Sequence, residues 1–449
     1  MHFVRPLFLL MLLILSCAGG AQKGQASAPS IIRDTEIETI LQSWSKDVFK
    51  AAGMDISQID LILVQSPEIN AFVAGGSNIF IYTGLIQKTK TPEELIGVIA
   101  HETGHISGGH LIRTKRALEQ SSFESMLAMV LGLGAALAGG GGDAVAAGAH
   151  IGRAMGTNNF LTHSRVQESS ADQAGLKFLV DAGIDPSGLI SFLEKISDQE
   201  LLPTASQSAY MRTHPLSRDR IESLKYIVQT SQYRLKPRPQ NWDDQHARIK
   251  AKLMGFIEPN KVTYEYPSSD QSIPARYARA IAAYRQSRIA DALKSIDQLI
   301  AIEPQNAYFH ELKGQILYET GSAKVSLAPY QTALRLAPHS GLIRTAYASA
   351  LLDTGRLKES IIELKRAEKD EPRSSRVKRL LATASGKLGN EAEAKVYLAE
   401  EALMQNRIKD ARSHAEIALK SLPQNSSLRI RAQDVISLSE SRNRDVKDE

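Results

Sequence analysis

Two histidines and a glutamate form the pattern in this chain whose chemistry is easiest to define. His101 and His105 lie four residues apart, and Glu102 follows the first histidine directly. Residues four apart share one face of a helix, so both imidazoles can bind the same cation. Glu102 then lies beside the water molecule that would complete the coordination of that cation. The pattern predicts a zinc centre with a general base, the arrangement that metallopeptidases use to hydrolyse peptide bonds.

The flanking residues predict the helix that this pattern requires. Thr91 suits the N-cap, Pro92 the first helical position, and Glu94 the third position of a capping box. The residues that would bury the helix in a core are Leu95, Ile96, Val98 and Ile99. A five-residue pattern also arises by chance, and an acidic ligand further along the chain is what favours a metal site here.

A catalytic zinc ion usually has three protein ligands. His110 is near in sequence, but the three-histidine pattern needs its last histidine at the position of Leu111, so His110 is interpreted as a helix-end or surface residue. Glu168 is the better candidate, and Asp172 lies four residues later on the same helix face. Asp172 is predicted to accept the second N–H of one histidine and so orient its ring. The alternative, an exposed acidic helix, is disfavoured by four apolar neighbours: Ala171, Ala174, Leu176 and Phe178.

These motifs resemble the zinc metallopeptidase family that includes HtpX and the prenyl-protein proteases. The resemblance rests on His101-Glu102-x-x-His105, Ser164-Arg165-x-x-Glu168-x-x-Ala171-Asp172, Thr213-His214-Pro215 with Arg220 six residues after His214, Asn70-Ala71-Phe72 and Thr83-Gly84-Leu85. It implies one zinc ion per chain, held by His101, His105 and Glu168, with Glu102 as general base.

The His-Pro element has two further implied roles. His214 and Arg220 are candidates to stabilise the tetrahedral oxyanion. In the periplasmic branch of the family the corresponding histidine occupies the open zinc position and keeps the enzyme latent, so a loop carrying His214 is expected to gate the site. A buried structural His-Pro turn is the alternative interpretation.

The residues before the metal motif predict a helix and a small sheet. Apolar residues at helical spacing indicate a helix over residues 32–52, and short β-like runs follow at 61–64, 71–74 and 78–82. The segment from Asn70 to Gly76 is a candidate edge strand that binds an extended substrate by strand addition. The candidate substrate-binding residues are Asn70, Ala71, Phe72 and Gly75. An ordinary hairpin with a turn at Gly75-Gly76 explains this segment equally well.

The C-terminal part of the chain is a repeat array. The residues that recur every 34 positions are Pro304, Pro338 and Pro372, and Gly321, Gly355 and Gly389. Two residue types with one period of this length predict tetratricopeptide repeats, which stack into a solenoid with a concave groove. The next proline, Pro423, comes 51 residues after Pro372, so a half-repeat helix is predicted near residues 392–404.

Length and composition agree with this division. A chain of 449 residues favours two or three domains, and 43% hydrophobic with 23% charged residues is typical of globular proteins. The net charge of +5 does not argue for nucleic acid as a partner. We predict a signal peptide (1–21), a zinc metallopeptidase domain (22–265) and a tetratricopeptide-repeat domain (266–449). The first domain is expected to be an α+β zincin-like fold, mostly helical with a small sheet, and the second an all-α solenoid.

The N-terminus predicts export. Arg5 precedes a short apolar run, and the small residues before Gln22 suit cleavage there. The alternative is a lipoprotein box with acylated Cys17, although the bulky Leu15 favours plain cleavage. Cys17 is the only cysteine, so no internal disulfide is expected. The predicted location is a bacterial periplasm, peripheral to or lipid-anchored at the outer membrane. The glycine-rich segment 139–142 is predicted to be a mobile loop that packs near the cleft, acts as a lid or contacts a membrane.

Two functions are compatible with these features. The family resemblance implies an exported endopeptidase that degrades misassembled outer-membrane proteins, with the repeats bringing the β-barrel assembly machinery or client chains to the cleft. The alternative is a chaperone-like scaffold in which the repeats matter more than proteolysis. An intact ligand set with Glu102 favours the enzyme.

Overall fold

The computed structural model describes residues 30–110, 165–202, 207–216 and 218–445. The predicted signal peptide, Cys17 and the glycine-rich segment 139–142 lie outside the described residues. Among the helices of the described ranges, none combines the length and the hydropathy that a membrane span requires.

The N-terminal part contains a four-stranded sheet in the order β1-β2-β4-β3. Its strands are β1 (Ser30–Ile32), β2 (Leu61–Gln65), β3 (Ala71–Ala74) and β4 (Asn78–Tyr82). Strands β2 and β4 are parallel, and the other two pairs are antiparallel. The three predicted strands are confirmed, whereas β1 was not predicted. Gly75 and Gly76 form the β3–β4 turn with φ of 62° and 94°, so the same segment is both a hairpin and a sheet edge.

Helices surround this sheet. They are α1 (Thr35–Ala51), α2 (Thr83–Lys88), α3 (Pro92–Ser107), α4 (Arg165–Ala182), α5 (Ser187–Ser197), α6 (Ala209–Thr213), α7 (Arg218–Thr230), α8 (Trp242–Ile257) and α9 (Val262–Glu265), with short 3₁₀ turns at Ile56–Gln58 and Asp198–Leu201. Aliphatic and aromatic side chains of α1, the sheet, α3, α4 and α5 share one hydrophobic core. The predicted helix at 32–52 corresponds to α1.

Helix α3 carries the metal motif and begins as predicted. The Thr91 hydroxyl accepts a hydrogen bond from the Glu94 N–H at 3.3 Å, and Pro92 occupies the first turn. The capping box differs in one bond, because the Glu94 carboxylate accepts from the Lys90 N–H at 2.7 Å rather than from the N-cap itself. The carboxylate also contacts Ser191 and Lys195 of α5, which ties the start of α3 to its neighbour.

Glycines allow α4 and α5 to approach α3 closely. A Cβ at Gly97 would lie 2.7 Å from the backbone of Leu189 in α5, and a Cβ at Gly104 would lie 2.5 Å from the Ala171 carbonyl oxygen in α4. On the other side of the α3–α4 contact, a Cβ at Gly175 would lie 3.0 Å from the backbone of Ala100. Helix α4 therefore lies against the metal motif of α3 with almost no side chain between the two backbones.

The C-terminal part is a helical solenoid. Its helices are α10 (Ile273–Arg285), α11 (Ile289–Ile302), α12 (Ala307–Glu319), α13 (Ala323–Leu336), α14 (Gly341–Asp353), α15 (Leu357–Asp370), α16 (Ser375–Lys387), α17 (Glu391–Met404), α18 (Ile408–Leu419) and α19 (Ser427–Asp445). In the first four pairs, first helices begin 34 residues apart and so do second helices. Gly321, Gly355 and Gly389 have φ near 80° in the turns within the pairs.

The predicted half-repeat helix is present. Three helices, α16, α17 and α18, lie between Pro372 and Pro423, where the two preceding proline intervals each contain two helices. The turn before α18 contains Asn406 at a φ of 55°, so it resembles the turns within the pairs, which contain Gly321, Gly355 and Gly389 at positive φ. The longer interval between these prolines therefore reflects an additional helix, and α17 lies where that helix was predicted.

The solenoid packs directly against the N-terminal part. Helices α8 and α9 contact α10 through a small cluster of Ala251, Val262, Ala278 and Ala282. The buried Lys252 ammonium pairs with Asp34 at 2.8 Å and with Glu36 at 3.2 Å, and the Tyr277 hydroxyl of α10 donates to Glu36 at 3.1 Å. The predicted division after residue 265 coincides with the end of α9 and remains a prediction.

The close α3–α5 contact makes a testable prediction. Gly97→Ala should destabilise the protein by roughly 1–3 kcal/mol, because the added methyl group meets the backbone of α5 rather than a movable side chain. Gly386→Ala is the matched control: its Cβ would find the nearest atom at 3.8 Å, so the helix preference of alanine should stabilise it by roughly 0.5–1 kcal/mol. Urea unfolding followed by circular dichroism compares the two, and equal effects would contradict the packing argument.

Candidate metal centre

Four buried side chains from three helices converge on one point. His101 and His105 come from α3, Glu168 from the first turn of α4, and His214 from the C-cap of α6. One ligand atom from each lies within 4.8 Å of the others. The two α3 imidazoles approach each other at 3.1 Å between their Nε2 atoms, and Glu168 Oε1 lies 3.2 Å from His105 Nε2. His214 Nδ1 lies 3.1 Å from Glu168 Oε1 and 3.4 Å from His101 Nε2.

This donor set fits a tetrahedral zinc ion. Ligand bonds of about 2.1 Å at tetrahedral angles place neighbouring donors about 3.4 Å apart. The separations of 3.1, 3.2 and 3.4 Å match that spacing. Imidazole nitrogens with one carboxylate oxygen are a donor set that zinc accepts, and all four side chains are at most 1% exposed.

Hydrogen bonds on the outer nitrogens orient two of the rings. His101 Nδ1 lies 2.8 Å from Asp172 Oδ1, as predicted for a ligand whose second N–H is held by a carboxylate. His214 Nε2 lies 3.2 Å from the Ala71 carbonyl oxygen, which can only accept. His214 Nε2 is therefore the donor to Ala71, and Nδ1 faces the cluster.

Arg220 contacts the carboxylates of the site, and its role in stabilising an oxyanion remains a prediction. Its Nε and Nη2 atoms donate to the two oxygens of Asp172 at 2.7 and 2.9 Å, and Nη1 donates to the Pro215 carbonyl oxygen at 2.8 Å. Nη1 also lies 2.9 Å from Glu168 Oε2. All three nitrogens of the guanidinium thus contact oxygen atoms, and Arg220 fixes the positions of the Asp172 and Glu168 carboxylates.

The electrostatics of the cluster favour a positive charge at its centre. Burial by itself would lower the pKa of His101, but hydrogen bonds to Asp172 and Glu168 raise that pKa to about 10. Burial by itself would raise the pKa of the Glu168 carboxyl, but the surrounding histidines, His214 foremost, hold it well below its usual range. Burial keeps the pKa of His105 well below its ordinary value, so this ring offers a neutral lone pair.

Glu102 is buried beside the cluster, and within the part of the chain that the structure describes neither of its carboxylate oxygens has a hydrogen bond. The nearest basic atom is His214 Nε2, 3.5 Å from Oε1. Burial raises the pKa of this carboxyl, which makes it a stronger base once ionised. The general-base role of Glu102 remains a prediction that this geometry supports.

Two residues near the site were not predicted. His110 lies just after the end of α3, with its Nδ1 3.0 Å from His105 Nδ1, so this helix-end residue contacts the outer side of a ligand. The Tyr210 ring stacks on His214 at 4.6 Å between centroids. Tyr210 precedes His214 by four residues, and this helical spacing is the sequence signal that indicates the pairing.

The candidate substrate strand reaches the cluster at one residue. The Asn70 carbonyl oxygen accepts a hydrogen bond from the Tyr82 N–H, which faces it in β4. Successive residues of a strand direct their backbone groups to opposite sides, so the N–H and C=O of Ala71 face the open edge of the sheet. There the Ala71 carbonyl oxygen contacts His214. The Asn70 carboxamide lies 3.5 Å from the Thr213 hydroxyl. Phe72 instead stacks on Phe80, and Gly75 belongs to the turn; substrate binding by these residues remains a prediction.

Comparison with known proteins defines the class. Residues 33–228 match the family model of peptidase family M48, and residues 273–416 match a tetratricopeptide-repeat model. The N-terminal part of the chain therefore resembles the metallopeptidases of family M48, and the C-terminal part consists of tetratricopeptide-like repeats, so the predicted resemblance and fold class are confirmed.

Individual relatives narrow the comparison. The chain is 25% identical over 396 residues to the Beta-barrel assembly-enhancing protease of Escherichia coli (strain K12), which covers 86% of this chain and 79% of that protein. The Mitochondrial metalloendopeptidase OMA1 of Schizosaccharomyces pombe is 27% identical over 180 residues, and the aligned region covers 40% of this chain and 50% of OMA1. Among solved structures, YrrB, a TPR protein, is 17% identical, with a TM-score of 0.32 over 38% of this chain and 91% of its own.

The orienting contact of Asp172 is testable. Asp172→Ala should weaken zinc binding by roughly 10- to 100-fold, because His101 and Arg220 both lose their carboxylate partner. Asp181→Ala, which removes an exposed carboxylate from the same helix, should leave the affinity unchanged. Competition with a chromophoric chelator measures both, and equal affinities in the two variants would exclude a role for Asp172 in the metal site.

Proposed function

We propose that this protein is an exported zinc-dependent endopeptidase that assists the assembly of outer-membrane β-barrel proteins and degrades misassembled ones. The observation that carries the catalytic part is the position of Glu102 beside a buried set of zinc-type donors, with no hydrogen bond to its carboxylate from any described residue. The process and the substrate class are supported by similarity to the Beta-barrel assembly-enhancing protease. The proposed cellular location is the periplasm. The proposed metal content is one zinc ion per chain.

The residues of the site have different roles in the proposed hydrolysis of a peptide bond. His101, His105 and Glu168 would hold zinc, which when bound supplies a Lewis acid that polarises the scissile carbonyl and acidifies water. Glu102 takes the proton of the attacking water on a carboxylate oxygen and delivers it to the leaving amine. Asp172 and Arg220 keep the ligand side chains in place throughout.

In the proposed resting state, His214 closes the site. It contributes the fourth donor, which leaves no open position for water. Its Nε2 also donates a hydrogen bond to the Ala71 carbonyl oxygen at the open edge of β3. A substrate strand added to this edge would need that oxygen as an acceptor. One side chain therefore blocks both the metal and the strand edge, and withdrawal of α6 would free both together.

The solenoid is proposed to bring client chains or the outer-membrane assembly machinery to this site. Its packing against α8 supports a fixed position of the groove relative to the peptidase part. A chaperone-like scaffold is the second candidate function, because four protein donors are also the arrangement of structural zinc sites. Nucleic acid is not a proposed partner, and contact with the membrane is proposed to be peripheral.

Substitution of the general base separates the two functions. Glu102→Gln should retain zinc and lose proteolysis by roughly 10²- to 10⁴-fold, because the amide cannot accept the proton of water. Metal content and cleavage of an unfolded outer-membrane protein are the measurements. Full proteolysis by this variant would exclude Glu102 as the base, and full complementation of a deletion strain by an inactive variant would favour the scaffold.

Removal of the fourth donor tests the closed state. His214→Ala should raise peptidase activity by about tenfold or more, because the fourth position and the edge acceptor become available together. His339→Ala, an exposed histidine in a repeat turn, serves as the control and should behave as wild type. A fall in activity of His214→Ala would instead support direct action of His214 on the oxyanion.

A further inference from the structure

Tyr210 connects His214 to the sheet. The two residues lie four apart at the ends of α6, and their rings stack at 4.6 Å with an interplanar angle of 28°. The Tyr210 N–H donates to the Ile69 carbonyl oxygen at 3.0 Å, next to β3, and the Tyr210 carbonyl oxygen accepts the His214 N–H at 2.8 Å. Any movement of α6 away from the cluster therefore moves both rings and breaks the contact with the sheet.

Among the residues that the structure describes, none hydrogen-bonds to the hydroxyl of Tyr210, although Tyr210 is only 1% exposed. Phe192 packs edge-on against the ring at 5.4 Å and offers the hydroxyl nothing to bond. Buried polar groups without partners are rare, because each loses its bonds to water without replacement. The ring of Tyr210 therefore stabilises the closed state, in which His214 occupies the site, whereas the hydroxyl of Tyr210 destabilises that state.

We propose that Tyr210 is a positioning residue that sets how firmly His214 closes the site. Its ring holds the imidazole by stacking, and its hydroxyl weakens the closed state because it regains hydrogen bonds to water only when α6 withdraws. The inference rests on the closed state of the proposed function and adds the residue that limits the stability of that state. The hydroxyl shifts the equilibrium toward the open state by roughly 5- to 100-fold.

Tyr210→Phe tests this inference because it keeps the ring and removes only the hydroxyl. The closed state should gain population, so both the rate of zinc release to an added chelator and the rate of proteolysis should fall by roughly 5- to 100-fold. Ser385→Ala is the control. The Ser385 hydroxyl is also buried without a hydrogen-bond partner among the described residues, but it lies in α16 of the solenoid, so its variant should release zinc at the wild-type rate.

The double variant separates positioning from catalysis. In a His214→Ala background, Tyr210→Phe should cause no further loss, because there is no longer an imidazole to hold. A further loss of tenfold or more would make Tyr210 a direct donor to the reacting oxygen and overturn the positioning role. Wild-type zinc release by the single Tyr210→Phe variant would also overturn it.

The inference and the proposed function fail in different experiments. If His214→Ala does not raise activity, the closed state itself is wrong. If His214→Ala raises activity but Tyr210→Phe matches wild type in both zinc release and proteolysis, the closed state stands and only the role of Tyr210 is refuted.

Discussion

The contact between α3 and α4 is the constraint on which the metal centre depends. Gly104 and Gly175 face the opposite backbone at distances where a Cβ would clash or nearly clash, so the two helices touch along their main chains. At this separation the short side chains of Glu168 and Asp172 reach His105 and His101 from one turn of α4. A larger residue at either glycine would move the carboxylates away from the imidazoles, and a tetrahedral site tolerates little displacement.

Charge balance is the second constraint on this buried site. Three carboxylates, Glu102, Glu168 and Asp172, face one guanidinium, that of Arg220, and all four groups are nearly inaccessible to water. A divalent cation would neutralise the remaining two negative charges. Without it, the raised pKa of His101 and that of Glu102 indicate that protons take over this role. The site is therefore built for a cation, because unpaired buried charges are costly.

The solenoid is part of the same folded body rather than a flexible appendage. Its first helix shares an apolar cluster with α8, and Lys252, Glu36 and Tyr277 connect the two parts through buried polar contacts. Arg33 adds an ion pair to Glu371, near the fourth helix pair. These contacts hold the start of α1 against the repeats, so the solenoid and the metal centre keep a defined mutual orientation.

Much of the local structure follows from the sequence by itself. The capping residues before α3, the apolar spacing of α1, the three strands from residue 61 to 82 and the 34-residue period are local signals, and the structure agrees with each. The ligand pattern His101-Glu102-x-x-His105 is equally local, because helical geometry alone puts both imidazoles on one face.

Only the tertiary structure decided which distant groups meet. Arg220 binds Asp172 and Glu168, His110 contacts His105, and Tyr210 stacks on His214. Strand β1 also depends on its partner β2. A sequence pattern specifies the face on which a side chain lies, but the approach of two backbones, here set by glycines, determines what that side chain touches.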